Sequence, residues 1–86
     1  MLGVVIAVNA RRRILLVEVE AGSCSLLTDC EDQPRPGTVL EGLLDRKGIE
    51  TLRNINTGRV FSGRVQFTRL PKRTALLQLV GEAQPA

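Results

Sequence analysis

Three consecutive arginines, Arg11, Arg12 and Arg13, are the side chains in this chain best fitted to chemistry, and that chemistry is the capture of an anion. A guanidinium presents a planar fork that matches two oxygens of a phosphate, and its plane can stack on a nucleobase. Further bases follow in the second half: Arg46, Lys47, Arg53, Arg59 and Arg64 complete a candidate nucleic-acid-binding set with the three arginines. Charge is strongly segregated. Residues 14–45 carry one base against seven acids, whereas residues 46–73 carry eight bases against one acid. Such asymmetry suits a polyanionic partner for the basic part, single-stranded RNA or DNA. Two plainer readings stand beside it: acidic and basic strands can pair across a sheet, and a charged turn keeps a hairpin soluble.

The same inventory argues against catalysis. The chain has no histidine for proton transfer, and no nucleophile stands beside a base that would activate it, so a non-enzymatic protein is expected. Asp29, Glu31 and Asp32 form an acidic cluster with too few oxygen ligands at regular spacing for a metal ion. Cys24 and Cys30 alone cannot complete a four-ligand zinc site. No metal and no cofactor is expected. Cys24 reads as a small buried hydrophobe on a strand rather than as half of a disulfide.

The elements that must position the arginines come from alternation. Val4, Ile6 and Val8 alternate with Val5 and Ala7; Leu15, Val17 and Val19 alternate with Leu16, Glu18 and Glu20. A period of two predicts two strands with one face in a core, closed into a hairpin whose tip is Asn9 to Arg13. Gly22 marks a turn into a third strand at about 23–27. Residues 28–37, with Pro34 and Pro36, can be neither central strand nor helix interior and form the long connection, with room for one helical turn capped by Thr28 or Asp29. Strands are predicted at 38–45, with Leu40 and Leu44 on one face, and at 49–54. Residues 59–69 form the longest strand, with Phe61, Gly63, Val65, Phe67 and Arg69 sharing one parity. Residues 74–80 suit a last strand or a short helix; strand is preferred.

Eighty-six residues support one core, hence one domain over residues 1–80, followed by a flexible tail at 81–86. Seven strand candidates punctuated by turns predict an all-β fold, a small antiparallel barrel of five to seven strands. No apolar run is long enough for a membrane helix, and the start lacks the features of a signal peptide. With only two cysteines, a cytoplasmic location and no membrane partner are expected.

The turns also resemble a family. Met1-Leu2-Gly3-Val4-Val5, a first strand ending at Asn9, a basic loop, a second strand at Ile14 to Val19, Pro36-Gly37-Thr38-Val39 and Lys47-Gly48 resemble the cold-shock-type oligonucleotide-binding (OB) barrels over residues 1–55. The resemblance implies an OB-like fold and single-stranded nucleic acid as ligand. It also implies aromatics on the outer faces of the second and third strands for base stacking. Here those stretches read Ile14 to Glu18 and Ser23 to Leu27, without a ring, and Phe61 and Phe67 are the only aromatics in the chain.

The function expected is therefore weak, sequence-tolerant binding through the basic loops. With four phosphates contacted, log affinity should fall against log salt with a slope of about −3. The alternative is a protein-interaction or assembly module, a homodimer included, that uses aliphatic outer positions such as Leu16, Leu27 and Leu43.

Overall fold

The computed structural model describes residues 1–81. Six strands close into an antiparallel barrel of the small, OB-like, all-β kind: β1 (Leu2–Asn9), β2 (Ile14–Glu20), β3 (Ser23–Thr28), β4 (Val39–Glu41), β5 (Gly48–Asn54) and β6 (Val60–Pro71). Their order around the barrel is β1-β2-β3-β6-β5-β4, with β4 returning to β1. A ten-residue helix, α1 (Lys72–Gly81), follows β6 directly. Of the tail expected at 81–86, Gly81 is the last residue of α1 and 82–86 lie outside the described residues.

Two apolar layers hold this arrangement. The barrel interior contains Val5, Leu15, Val17, Leu27, Leu40, Leu44, Leu52, Phe61 and Val65, with Cys30 from the β3–β4 connection. Leu40 and Leu44 do share a buried face, although β4 itself is short and the chain turns after Glu41. The second layer lies outside the sheet, where Ile14, Leu16, Cys24 and Leu26 pack against Ala75 and Leu79 of α1, with Phe67 and Leu70 alongside.

The second layer explains why residues 74–80 are helical rather than a seventh strand. Four consecutive apolar residues, Ile14 to Val17, are all buried, so β2 is covered on both faces. A strand added at the end of the sheet would leave the outer face of β2 and β3 in water; a helix lying across it buries Ala75 and partly buries Leu79, one turn apart, on that face. Ala, Leu and Gln favour the helix locally. Its start is fastened by the Lys72 amide, which donates to the Gly22 carbonyl at 3.0 Å, and by Lys72 Nζ, 4.0 Å from Glu18.

Bulges displace the expected alternation. On β6, Leu27 pairs with Val65 and Leu26 with Phe67, so Gln66 is an extra residue and the parity flips after it. Phe67 consequently leaves the barrel interior and joins the outer layer, contrary to the single parity expected for Phe61 to Arg69. On β1, Ile6 is extra between Val5 and Ala7, and both Ile6 and Ala7 turn toward the outer layer. A one-residue slip exchanges the faces of every residue beyond it, and closing a barrel requires such local bends.

Two glycines make room for close packing. A Cβ on Gly3 would lie 2.5 Å from Val17 Cγ1 and 2.9 Å from Leu44 Cδ1. A Cβ on Gly63 would stand 3.1 Å from Cys30 Sγ, so the bare backbone of β6 admits the thiol that plugs this end of the barrel. No helical turn forms in the β3–β4 connection. It is held instead by the Cys30 amide on the Arg13 carbonyl at 3.1 Å and by a reciprocal pair, the Glu31 amide on the Ser62 carbonyl and the Ser62 amide on Glu31 Oε1.

Both thiols are free and buried. Burial above all, opposed by a backbone hydrogen bond from Leu15 and helped by the Asp29 carboxylate, pushes the Cys30 thiol up to about 12. The neutral form is thus favoured by folding. That stability is fully present below the unfolded thiol's value of about 9 and is lost as pH rises toward 12. The midpoint of urea unfolding is expected to fall between those pH values in the parent, and a Cys30→Ala variant should lose that slope. A parent whose alkaline slope matches that of the variant would assign the effect elsewhere.

Candidate nucleic-acid interface

The hairpin tip is built by its backbone. The Arg12 amide donates to the Asn9 carbonyl at 3.2 Å and to Asn9 Oδ1 at 3.2 Å, and the Arg13 amide donates to the Ala10 carbonyl at 3.3 Å. Arg13 then takes a left-handed φ of 58° to re-enter β2. A turn followed by one left-handed residue is a common closure for a loop of this length. All three arginine side chains are exposed, and the Arg13–Cys30 bond ties the tip to the neighbouring connection.

Every neighbouring strand pair is antiparallel, so the β1–β2, β3–β4 and β5–β6 connections share one end of the barrel, while β2–β3 and β4–β5 share the other. The first end carries Arg11, Arg12 and Arg13 on the tip and Arg59 before β6; Arg64 follows on the β6 wall. Arg35, absent from the sequence-based set, belongs to the same end on the β3–β4 connection and is exposed. Its signal was its place between two prolines on an obligatory loop. Arg46 and Lys47 fall on the β4–β5 turn at the opposite end, so the eight candidates do not form one track.

Most of the second-half bases have partners. Arg53 meets Glu41 at 2.8 Å across β4 and β5, Arg59 meets Asp32 at 3.4 Å, Arg64 meets Asp29 at 3.7 Å, and Arg46 meets Glu50 at 3.9 Å. Lys47 Nζ sits 5.7 Å from the centre of the Phe67 ring. The acidic cluster is thereby accounted for as well: Asp29 and Asp32 face arginines, and Glu31 accepts the Ser62 amide. Arg11, Arg13 and Arg35 have no ion pair with a described residue. No group of acids, cysteines or histidines among the described residues is placed to hold a metal ion.

No protein family, characterised protein or solved structure matches the chain. Among the described residues no helix is long and apolar enough to cross a membrane.

The face that carries stacking aromatics in cold-shock-type barrels is closed here. Ile14, Leu16, Cys24 and Leu26 on the outer side of β2 and β3 lie under α1. Two of the outer aliphatics expected to serve a protein interface are likewise unavailable: Leu16 is under α1 and Leu27 is inside the barrel, both fully buried, while Leu43 is 48% exposed. Exposed apolar side chains lie elsewhere, among them Leu2 and Val4 on β1 and Ile55 after β5, with Val4 paired to Val39 of β4 and the Ile55 amide on the Val39 carbonyl.

Proposed function

We propose that this chain is a non-enzymatic module that binds single-stranded nucleic acid through its phosphates, with Arg11, Arg12 and Arg13 as the contact and without reading bases. The observation that carries the reading is the tip itself: three exposed guanidiniums in sequence, on a loop whose shape is set by its own backbone hydrogen bonds. Preorganised charge of this kind attracts a polyanion at little ordering cost. The occupied face on β2 and β3 and the scarcity of rings argue for sequence tolerance, since stacking platforms are what single-strand binders otherwise use. An OB-like barrel with its loops at one mouth fits this use. Two buried, free thiols accord with a reducing cytoplasm.

Titration of a labelled single-stranded oligonucleotide at several salt concentrations tests the proposal. Three phosphates contacted give a slope of about −2 in log affinity against log salt. Absence of retardation at low salt would refute it.

The ion pairs at the same end provide a second test. Asp29 and Asp32 stand where phosphate oxygens would stand, against Arg64 and Arg59. Asp29→Asn with Asp32→Asn releases both guanidiniums and removes two repelling charges. Affinity should rise about tenfold at low salt and the slope steepen toward about −3.5, as five phosphates are contacted. Folding should hardly change, because exposed pairs contribute only about 0.2–1 kcal/mol each. Unchanged affinity in a folded variant would remove Arg59 and Arg64 from the interface.

The second reading, a protein-interaction module, is favoured by the exposed patch of Leu2, Val4 and Ile55. Sedimentation over a range of concentrations distinguishes it: a self-associating chain that ignores oligonucleotides supports this reading and not the first.

A further inference from the structure

The end of the barrel opposite the arginine tip holds a cleft of about 250 Å³, bordered by the end of the β2–β3 hairpin, by Asp45 on the β4–β5 turn and by Arg69 near the end of β6. We propose that this cleft binds a small zwitterion of amino-acid size, with its carboxylate on Arg69 and its ammonium on Glu20 and Asp45.

The cleft has a structural cause. β3 is flanked at one level by irregularities on both sides: Val19 is extra on β2 between Glu18 and Glu20, and on β6 Thr68 and Arg69 stand opposite the single residue Ser25. Bulges at a barrel rim bend the strand and re-aim a side chain, and they recur beside binding sites. The re-aimed residue here is Arg69, whose φ of 56° is left-handed. Glycine or asparagine is the ordinary occupant of that conformation, and an arginine there is retained at a cost in backbone strain. The strained position is one of those that line the cleft.

The charges around the cleft are of both signs. Arg69, Glu20 and Asp45 all line the cleft, and none of them has an ion pair with a described residue. By contrast Arg53, Arg59, Arg64 and Lys72 each face a carboxylate. One guanidinium and two carboxylates left unpaired around one hollow match a ligand that carries both signs. A carboxylate takes the arginine fork, and an ammonium gains from two acids. The Ser23 hydroxyl adds a polar partner, and Ser25 Oγ, which donates to the Leu44 carbonyl, keeps its lone pairs for an incoming N–H. Met1 and Val19 supply an apolar wall for a side chain. The volume lies below the range of drug-sized pockets, which suits a single amino acid rather than a nucleotide.

The test is a titration of the isotope-labelled full chain with glycine, L-lysine, L-glutamate, acetate and methylammonium, followed by amide shifts. A saturable response at Ser23, Ser25, Asp45 and Arg69 to an amino acid is expected, with acetate or methylammonium alone about tenfold weaker or worse. Arg69→Gly should abolish that response while the melting temperature stays at or above that of the parent, because glycine adopts the left-handed conformation freely. Glu20→Gln with Asp45→Asn should bring the amino acid down to the level of acetate. Absence of saturation by all three amino acids overturns the proposal, as does equal binding of acetate, which would make the cleft a plain anion site. Survival of the response in a folded Arg69→Gly chain overturns it too. The oligonucleotide titration above involves the other end of the barrel, so neither result depends on the other.

Discussion

Alanine in place of Leu16 is expected to destabilise the protein by about 3 kcal/mol, the range for a fully buried leucine, although this side chain points away from the barrel interior. In a barrel with a bare outer surface, the same change would fall within about 0.5 kcal/mol of zero. Leu16 is instead at the centre of the second apolar layer, with no exposed surface, among Ile14, Cys24, Leu26 and the helical residues Ala75 and Leu79. Its truncation leaves a void that the sheet on one side and α1 on the other cannot both close. The control is Leu77→Ala on the same helix, where 65% exposure predicts a change of no more than about 0.5 kcal/mol. Urea unfolding of the two variants makes the comparison, and equal midpoints would show that α1 contributes nothing to the fold. The layer also bears on ligand choice, because an oligonucleotide could reach the outer face of β2 and β3 only after α1 had left it.

The second large effect concerns binding. Arg11→Ala, Arg12→Ala and Arg13→Gly together should lower oligonucleotide affinity about a hundredfold at low salt and flatten the salt dependence almost completely, since the phosphate contacts supply nearly all of the attraction. Glycine is chosen at position 13 because φ there is 58°, where alanine would add strain unrelated to charge. The tip should keep its shape: the acceptors that define it are the Asn9 and Ala10 carbonyls and Asn9 Oδ1, and the Arg13 carbonyl that receives the Cys30 amide is unaffected by side-chain replacement. The melting temperature should accordingly stay within a few degrees of the parent. A folded triple variant that still binds would move the phosphate contact to another surface, with Arg35 as the first candidate.

Much of the fold was legible because it rests on local pattern. The first hairpin, its turn at Asn9 to Arg13, the Gly22 turn and the buried pair Leu40 and Leu44 follow from alternation and turn chemistry. What local pattern does not carry is an extra residue in a strand: nothing about Gln66 or Ile6 announces that the faces exchange there, so Phe67 reads as interior when it is not. The helix was hidden differently. Residues 74–80 satisfy strand and helix alike, and the deciding fact lies some sixty residues earlier, in four adjacent apolar residues of β2 that need cover on both sides. That signal was present, since an unbroken apolar run marks a strand buried on two faces. In the candidate site, the tip and the segregation of charge were readable from the sequence, but the particular pairing of those charges was not. Asp29 with Arg64 and Asp32 with Arg59 become neighbours only when β3 and β6 pair, which no spacing along the chain reveals. What sets Arg69 apart is a backbone angle, which residue type and spacing do not disclose.

The shortness of β4 sets how the barrel breathes. β6 is zipped to β3 and β5 along most of its twelve residues, but the circuit is completed through three residues, Val39 to Glu41, with three register pairs to β1 and two to β5. Local opening takes the path with the fewest contacts to break. The barrel therefore behaves as a ring with one thin link: parting of β4 from β5 turns the closed cylinder into an open sheet, briefly baring Leu40 and Leu52, while the three strands before it and the β5–β6 hairpin after it stay paired. The sheet, continuous through the β3–β6 pairing, unfolds first at this short clasp, and during folding its two edges meet there last.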